Sequence, residues 1–295
     1  MPPRTDAPEF HCETLAIVGV GLMGAAIARE ARRQGAAAHI VGLGRDPARL
    51  AAARHSGVID EALTSPEGLR NVGLAVICTP VDRIEADVRS LLVSGGGPRL
   101  ITDAGSVKAA ITRNLRDVPR FVGAHPLAGS EKRGHEHAHE VQLQDRVCVV
   151  TPEESTPSDM VDEIRAFWTA LGMRVLVMPA DDHDAILART SHLPHLAAYA
   201  LASLLEGNDI PFAATGFRDS TRIAASDPKL WSSILMLNRD AVRSALAAYR
   251  RTLDAADALL QSGGERELTA LLAEAQQARL RLEPPAKPGV ASGPR

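Results

Sequence analysis

The sequence predicts an α/β chain: a doubly wound, mostly parallel sheet over its first 178 residues, followed by an all-helical segment. Three observations predict it. Up to about residue 178, short apolar runs alternate with stretches of helical spacing. A glycine-rich turn, GVGLMG at 19–24, joins the first of these runs to the first helix. Beyond Pro179 the chain turns rich in Ala and Leu, and no strand signal returns.

Taken in order, residues 1–12 are Pro-rich and polar and read as a loose arm. Thr14–Gly19 reads as a buried strand, and Leu22–Gln34 as a helix closed by Gly35. His39–Leu43 is the second strand and Pro47–His55 the second helix. Leu74–Cys78 is a continuous apolar run ending in Thr79-Pro80, as a strand buried on both faces requires. Asp82–Leu92 follows as a helix, Leu100–Thr102 as a strand and Val107–Leu115 as a helix. Phe121–Gly123, Val147–Val150 and Val175–Val177 are further short strands, with Ser158–Leu171 helical between the last two. Asp182–Leu205, Lys229–Leu260 and Glu265–Leu282 carry the helices of a second domain, 179–283, interrupted by an irregular loop at 207–228. Long irregular segments inside helical domains are often functional. The tail 284–295 is Pro/Gly/Ala-rich and predicted disordered.

Bulk properties narrow the function classes. The 295 residues suit roughly two domains at about 150 residues each. Aromatics make up only 3%, so the core must be aliphatic. Lys and Arg number 33 against 36 Asp and Glu, a net charge of −3 with both signs interspersed, which argues against a nucleic-acid partner. Three cysteines without paired spacing fit a reducing compartment and no zinc site. With no apolar leader and no run near 18 apolar residues, a soluble cytoplasmic protein is expected.

Gly19, Gly21 and Gly24 lie between the first strand and first helix. There they serve a tight turn, close approach to a pyrophosphate and helix–strand packing, as in Rossmann-type sheets. The helix N-terminus adds amide donors and positive dipole. Leu22 and Met23 in the same turn, with Thr79 and Pro80 after the third predicted strand, are expected to line the cofactor. An NAD site usually carries an acid about 20 residues on. Here the second strand ends Val41-Gly42-Leu43-Gly44-Arg45 without one, and Arg45 is placed to clamp a 2′-phosphate, favouring NADP over NAD. Asp46, next in the chain, is the alternative and would turn onto a ribose.

Four further segments, TDAGSVK (102–108), HPLAGSE (125–131), SHLPH (191–195) and FRDSTRIAASDPKLW (217–231), follow in order. Together with the glycine turn they resemble the prephenate/arogenate dehydrogenase family, over about residues 14–282. The resemblance implies NAD(P)-dependent oxidative decarboxylation of a small cyclohexadienyl acid. It implies a homodimer through the helical domain, no bound metal, and no fused mutase or regulatory domain. It makes His125 the base on the ring hydroxyl, and a neutral imidazole suits that task at pH 7. Ser106 would orient it by a hydrogen bond, and it is also a good cap for the helix that follows. Arg222 would grip a substrate carboxylate, which demands a fixed bidentate cation. His195 and His183 would line the same cleft, Trp231 would wall the ring, Arg218 would add positive field, and His192 would support the packing. The alternating His135, His137 and His139 can chelate a metal in principle, but the resemblance places no ligand there and a solvated surface segment is expected. A second reading is another two-domain NAD(P) dehydrogenase, of the β-hydroxyacid or imine-reducing type. It shares the glycine turn and the helical domain, but not the HPLAGSE and TRIA segments.

Overall fold

The computed structural model describes residues 10–93, 97–130 and 132–282. The expected disordered tail from 284 and the arm through residue 9 lie outside them. The arm does not extend to residue 12. Phe10 is buried against Phe167, ring centroids 5.2 Å apart, and Cys12 already opens the first strand.

Eight strands form one sheet: β1 (Cys12–Val18), β2 (Ala37–Leu43), β3 (Glu61–Leu63), β4 (Leu74–Ile77), β5 (Leu100–Asp103), β6 (Phe121–Pro126), β7 (Val147–Thr151) and β8 (Arg174–Val177). Their order is β3-β2-β1-β4-β5-β6-β7-β8, so the chain reverses its winding between β1 and β4. Pairing is parallel throughout except for β6 with β7. The intervening helices are α1 (Leu22–Gln34), α2 (Pro47–His55), α3 (Ile84–Val93), α4 (Ala109–Asn114) and α5 (Ser158–Ala170).

Alternation along each strand feeds two cores. Leu15, Ile17, Leu74 and Val76 pack on one face with Ile27 of α1 and Phe167 and Trp168 of α5. Ala16, Val18, Ala75 and Ile77 pack on the other with Ile84 and Val88 of α3 and Ile111 of α4. This period of two, with both faces apolar, is what a helix-covered parallel sheet demands. Gly35 ends α1 in the left-handed region at φ 69°. Asp46 caps α2, its carboxylate accepting from the Ala48 and Arg49 amides at 3.0 and 3.1 Å.

Helices α6 (Ala180–Leu187), α7 (Leu193–Ala202), α8 (Thr215–Thr221), α9 (Pro228–Leu237), α10 (Arg239–Ser262) and α11 (Glu265–Leu280) complete the chain. A π-helical turn, Ala188–His192, joins α6 to α7, where one continuous helix was predicted. Pro194 explains it: the ring nitrogen has no proton for the carbonyl of Thr190, so the ladder widens by a residue there. The predicted irregular loop at 207–228 is largely helical, with α8 flanked by 3-10 turns at Gly207–Phe212 and Arg222–Ala225. The long helix predicted from Lys229 breaks at Asn238, whose side-chain amide turns inward instead of continuing the helix. The chain divides into two compact units, Met1–Val242 and Arg243–Arg295. The change from strands to helices near residue 178 is therefore not a gap in packing, because α6–α9 belong to the first unit. No helix among the described residues is long and apolar enough to cross a membrane.

Candidate active site

The carboxyl ends of β1, β4, β5 and β6 open onto one cleft of about 1160 Å³. This is where an open α/β sheet binds ligands, outside the strand ends at the reversal of winding. Gly19 takes φ 91° at the end of β1, and a side chain there would strike Cys78 and Thr79 at the end of β4. Gly24 runs so close to the Gly19 carbonyl that a Cβ would sit 2.2 Å from it. Gly21, by contrast, has nothing within 4 Å of where a Cβ would stand and faces the cleft with Leu22 and Met23. The turn is thus tight on its inner side and open on its outer side, a cradle fitting a pyrophosphate at the start of α1. Thr79 and Pro80 line the same end of the cleft; Gly19 and Gly24 lie beneath the turn and do not.

Arg45 is exposed just past β2 and is not among the lining residues, whereas Arg49, one turn into α2, is. Asp46 is committed to capping α2 and to an ion pair with Arg49 at 3.3 Å.

At the other end stand Ser106, His125, His195, Arg222 and Trp231. His125 sits near the end of β6. Its Nδ1 is 2.9 Å from Nε2 of His183, whose Nδ1 is 2.8 Å from a carboxylate oxygen of Asp184. A carboxylate only accepts, so His183 donates from Nδ1 to Asp184 and, when neutral, accepts at Nε2 from His125. His125 then carries its proton on Nδ1 and presents the lone pair of Nε2. Burial, followed by the neighbouring His183, Lys108 and His192, holds its pKa well below 6.5. The side chain is a neutral acceptor at physiological pH.

His183 does not line the cleft, contrary to expectation. It is fully buried, because its face of α6 packs inward beside α4 and leaves it behind His125. Arg218 does not reach the cleft either: it is exposed on α8, and its Nε donates to the Ala213 carbonyl at 2.9 Å. Ser106 is on the loop after β5 and makes no hydrogen bond to His125 among the described residues. It is not the cap of α4, which begins at Ala109. The amides of Lys108 and Ala109 donate instead to Asp184, at 2.8 and 2.9 Å.

His195 follows the π-helical turn, which also brings Thr190 and Ser191 to the cleft wall. Its Nδ1 donates to the Ser191 carbonyl at 3.0 Å, and its ring stacks on Trp231 with centroids 3.4 Å apart. Burial lowers its pKa, and the charge of Arg222 lowers it further. His192 is buried. Its Nδ1 accepts from Asn238, which also donates to the Asp184 carbonyl, at 3.0 and 2.8 Å. The 135–139 histidines lie in a 3-10 turn at the surface, with Ala138 buried beneath it and His137 hydrogen-bonded to Glu140 at 3.0 Å. No grouping of metal ligands exists there among the described residues.

Sequence reasoning passed over Asp184, Asn238, Asp103 and Lys108, which hold the site from behind. Asp103 and Lys108 lie within the TDAGSVK segment, and Asp184 adjoins a singled-out histidine. Only their burial marks them, and burial is not legible there. A smaller groove of about 490 Å³ between α2 and β3 holds none of the residues above.

The chain is similar to known proteins over most of its length. A family model described as the prephenate dehydrogenase nucleotide-binding domain matches residues 27–177, and the prephenate dehydrogenase dimerization domain matches 179–274. A cyclohexadienyl dehydrogenase of Zymomonas mobilis is 30% identical over 280 residues, covering 91% of this chain and 96% of its own. The structure of Aquifex aeolicus prephenate dehydrogenase in complex with hydroxyphenyl propionate and NAD+ aligns with TM-score 0.86 at 29% identity, over 93% of this chain and 99% of that one. Synechocystis arogenate dehydrogenase aligns with TM-score 0.76 at 28% identity, over 91% and 99%.

Proposed function

The chain belongs to the prephenate dehydrogenase family, and on that premise we propose that His125 is the general base of its oxidative decarboxylation. The protein is an NAD(P)-dependent oxidoreductase of tyrosine biosynthesis, of the prephenate/arogenate dehydrogenase type. One observation supports the role of His125 above the others: its Nδ1 is engaged by the His183–Asp184 pair, which leaves Nε2 as the acceptor in a cleft-lining ring.

The substrate carries a ring hydroxyl, a ring carboxylate and a side chain ending in a second carboxylate. When bound, the dinucleotide supplies the hydride acceptor. As hydride leaves the carbon bearing the hydroxyl, Nε2 of His125 takes the hydroxyl proton. The bond to the ring carboxylate then breaks, its electron pair enters the ring and carbon dioxide departs. The oxygen, now a phenolate, regains its proton from His125. The Asp184 carboxylate, acting through His183, offsets the imidazolium while it exists. Ser106 orients the hydroxyl, Arg222 grips a carboxylate, and His195 stacked on Trp231 walls the ring.

Residues up to 178 hold the cofactor, and 179–283 supply Arg222, His195 and Trp231 together with the contacts of a homodimer. Exposed Leu204, Ile210 and Phe212 in the first unit, and Leu253, Leu260 and Leu272 in the second, support such contacts. NADP is the preferred cofactor: Asp46 is engaged as a helix cap, no other acid ends β2, and Arg45 and Arg49 follow it. Three free cysteines fit a reducing cytoplasm. Kinetics with prephenate and arogenate, each against NAD and NADP, test the whole reading. Turnover of simple β-hydroxy acids with neither cyclohexadienyl acid used would overturn it.

A further inference from the structure

We propose that Lys108 is a positioning residue for this reaction: its buried ammonium, paired with Asp103, anchors the backbone leading into both Ser106 and His125 and fixes a positive charge beside the residue that precedes His125. The proposal rests on His125 being the base. Both side chains of the pair are fully buried. Lys108 Nζ donates to the Ala124 carbonyl at 3.0 Å, and Asp103 accepts from the Ala124 amide at 3.0 Å, so both polar groups of the residue before His125 are held. The second Asp103 oxygen accepts from the Gly105 amide at 2.8 Å, fixing the residue before Ser106. The Lys108 amide donates to Asp184, tying the same residue to the acid behind His183.

A buried ion pair is seldom better for stability than well-packed apolar side chains. The backbone hydrogen bonds and the charge are what Lys108 adds here. The charged and titratable groups around His125 are Lys108 and Asp103 from β5 and the turn before α4, His183 and Asp184 from α6, His192 from the π-helical turn and Cys148 from β7. Lys108 opposes an imidazolium at His125 and Asp184 supports one. The base therefore rests neutral and takes a proton only from the substrate.

The test is the acid limb of kcat/KM, read from about pH 5 to 9, in Asp103→Asn/Lys108→Met and in Lys108→Met alone. Removing the ammonium lets His125 hold a proton more easily, so the limb moves to higher pH in the double variant. In the single variant, which keeps Asp103, it moves further. If either folded variant loses rate at every pH with the limb unmoved, Lys108 is merely structural and the proposal fails. His125→Asn, run in the same buffers, separates the two ideas. Full activity there overturns the base assignment itself, whatever the limb does in the Lys108 variants.

Discussion

His183 Nε2 stands 2.9 Å from His125 Nδ1, with Asp184 2.8 Å beyond, so a buried Asp–His–His chain ends at the cleft. Such a chain fixes which ring nitrogen of the last member carries the proton. His183→Phe removes the acceptor and frees the His125 ring to turn or change tautomer. We expect kcat to fall on the order of 10²-fold with KM little changed. His183→Gln, which keeps an acceptor oxygen, recovers part of the loss. Equal activity in wild type and His183→Phe would show that the chain does not set the base.

His125→Asn tests the base directly. A positioned base contributes roughly 10²–10⁴ in rate, so kcat falls by that range. Substrate affinity stays within about threefold, because the proton transfer belongs to the transition state. A drop in KM-dependent terms alone would move His125 from chemistry to binding.

Arg222→Ala has the opposite signature. Losing one partner of a desolvated charge pair costs about 2–5 kcal/mol, which corresponds to a rise in KM of roughly 30-fold or more. A change under threefold would count against a carboxylate contact.

Much of this site was readable in the chain because its parts are local. GVGLMG, the serine after β5 and the histidine near the end of β6 sit at strand ends, which the winding rule sends to one edge, while the TRIA arginine opens a 3-10 turn in the helical segment and was marked by its motif alone. What stayed hidden depends on which way a side chain points in three dimensions. His183 and His195 look alike on their helices, yet one is fully buried and the other lines the cleft. The reversed strand β7 carries no directional mark in four apolar residues. Asn238 reads as one more polar residue in a helical run until its amide is seen bridging Asp184 and His192.

The proposed preference for NADP rests on Arg45, which follows β2 where no acid ends the strand. Arg45→Ala should raise KM for NADP by about tenfold while leaving KM for NAD nearly unchanged, since only the 2′-phosphate needs the cation. Equal effects on both cofactors would remove Arg45 from that role.

Acid stability follows from His192. Burial brings its pKa from 6.5 down to about 4, and Asn238 satisfies only one ring nitrogen. The folded pKa lies below the unfolded one, so the unfolded chain binds more protons between those values and stability falls as pH drops through that window. At 1.36 kcal/mol per unit the full loss from this residue is roughly 3 kcal/mol. Replacing His192 by Gln, which does not titrate, should flatten the decline in urea midpoint between about pH 6.5 and 4 by a comparable amount. His125, likewise depressed, adds to the slope in both proteins, and because His192 is one of the groups that lower it, the difference between the two curves reports His192 together with that coupling. Superimposable curves would mean that His192 titrates in the folded protein as it does in water, and that its burial beside Asn238 does not govern the acid transition.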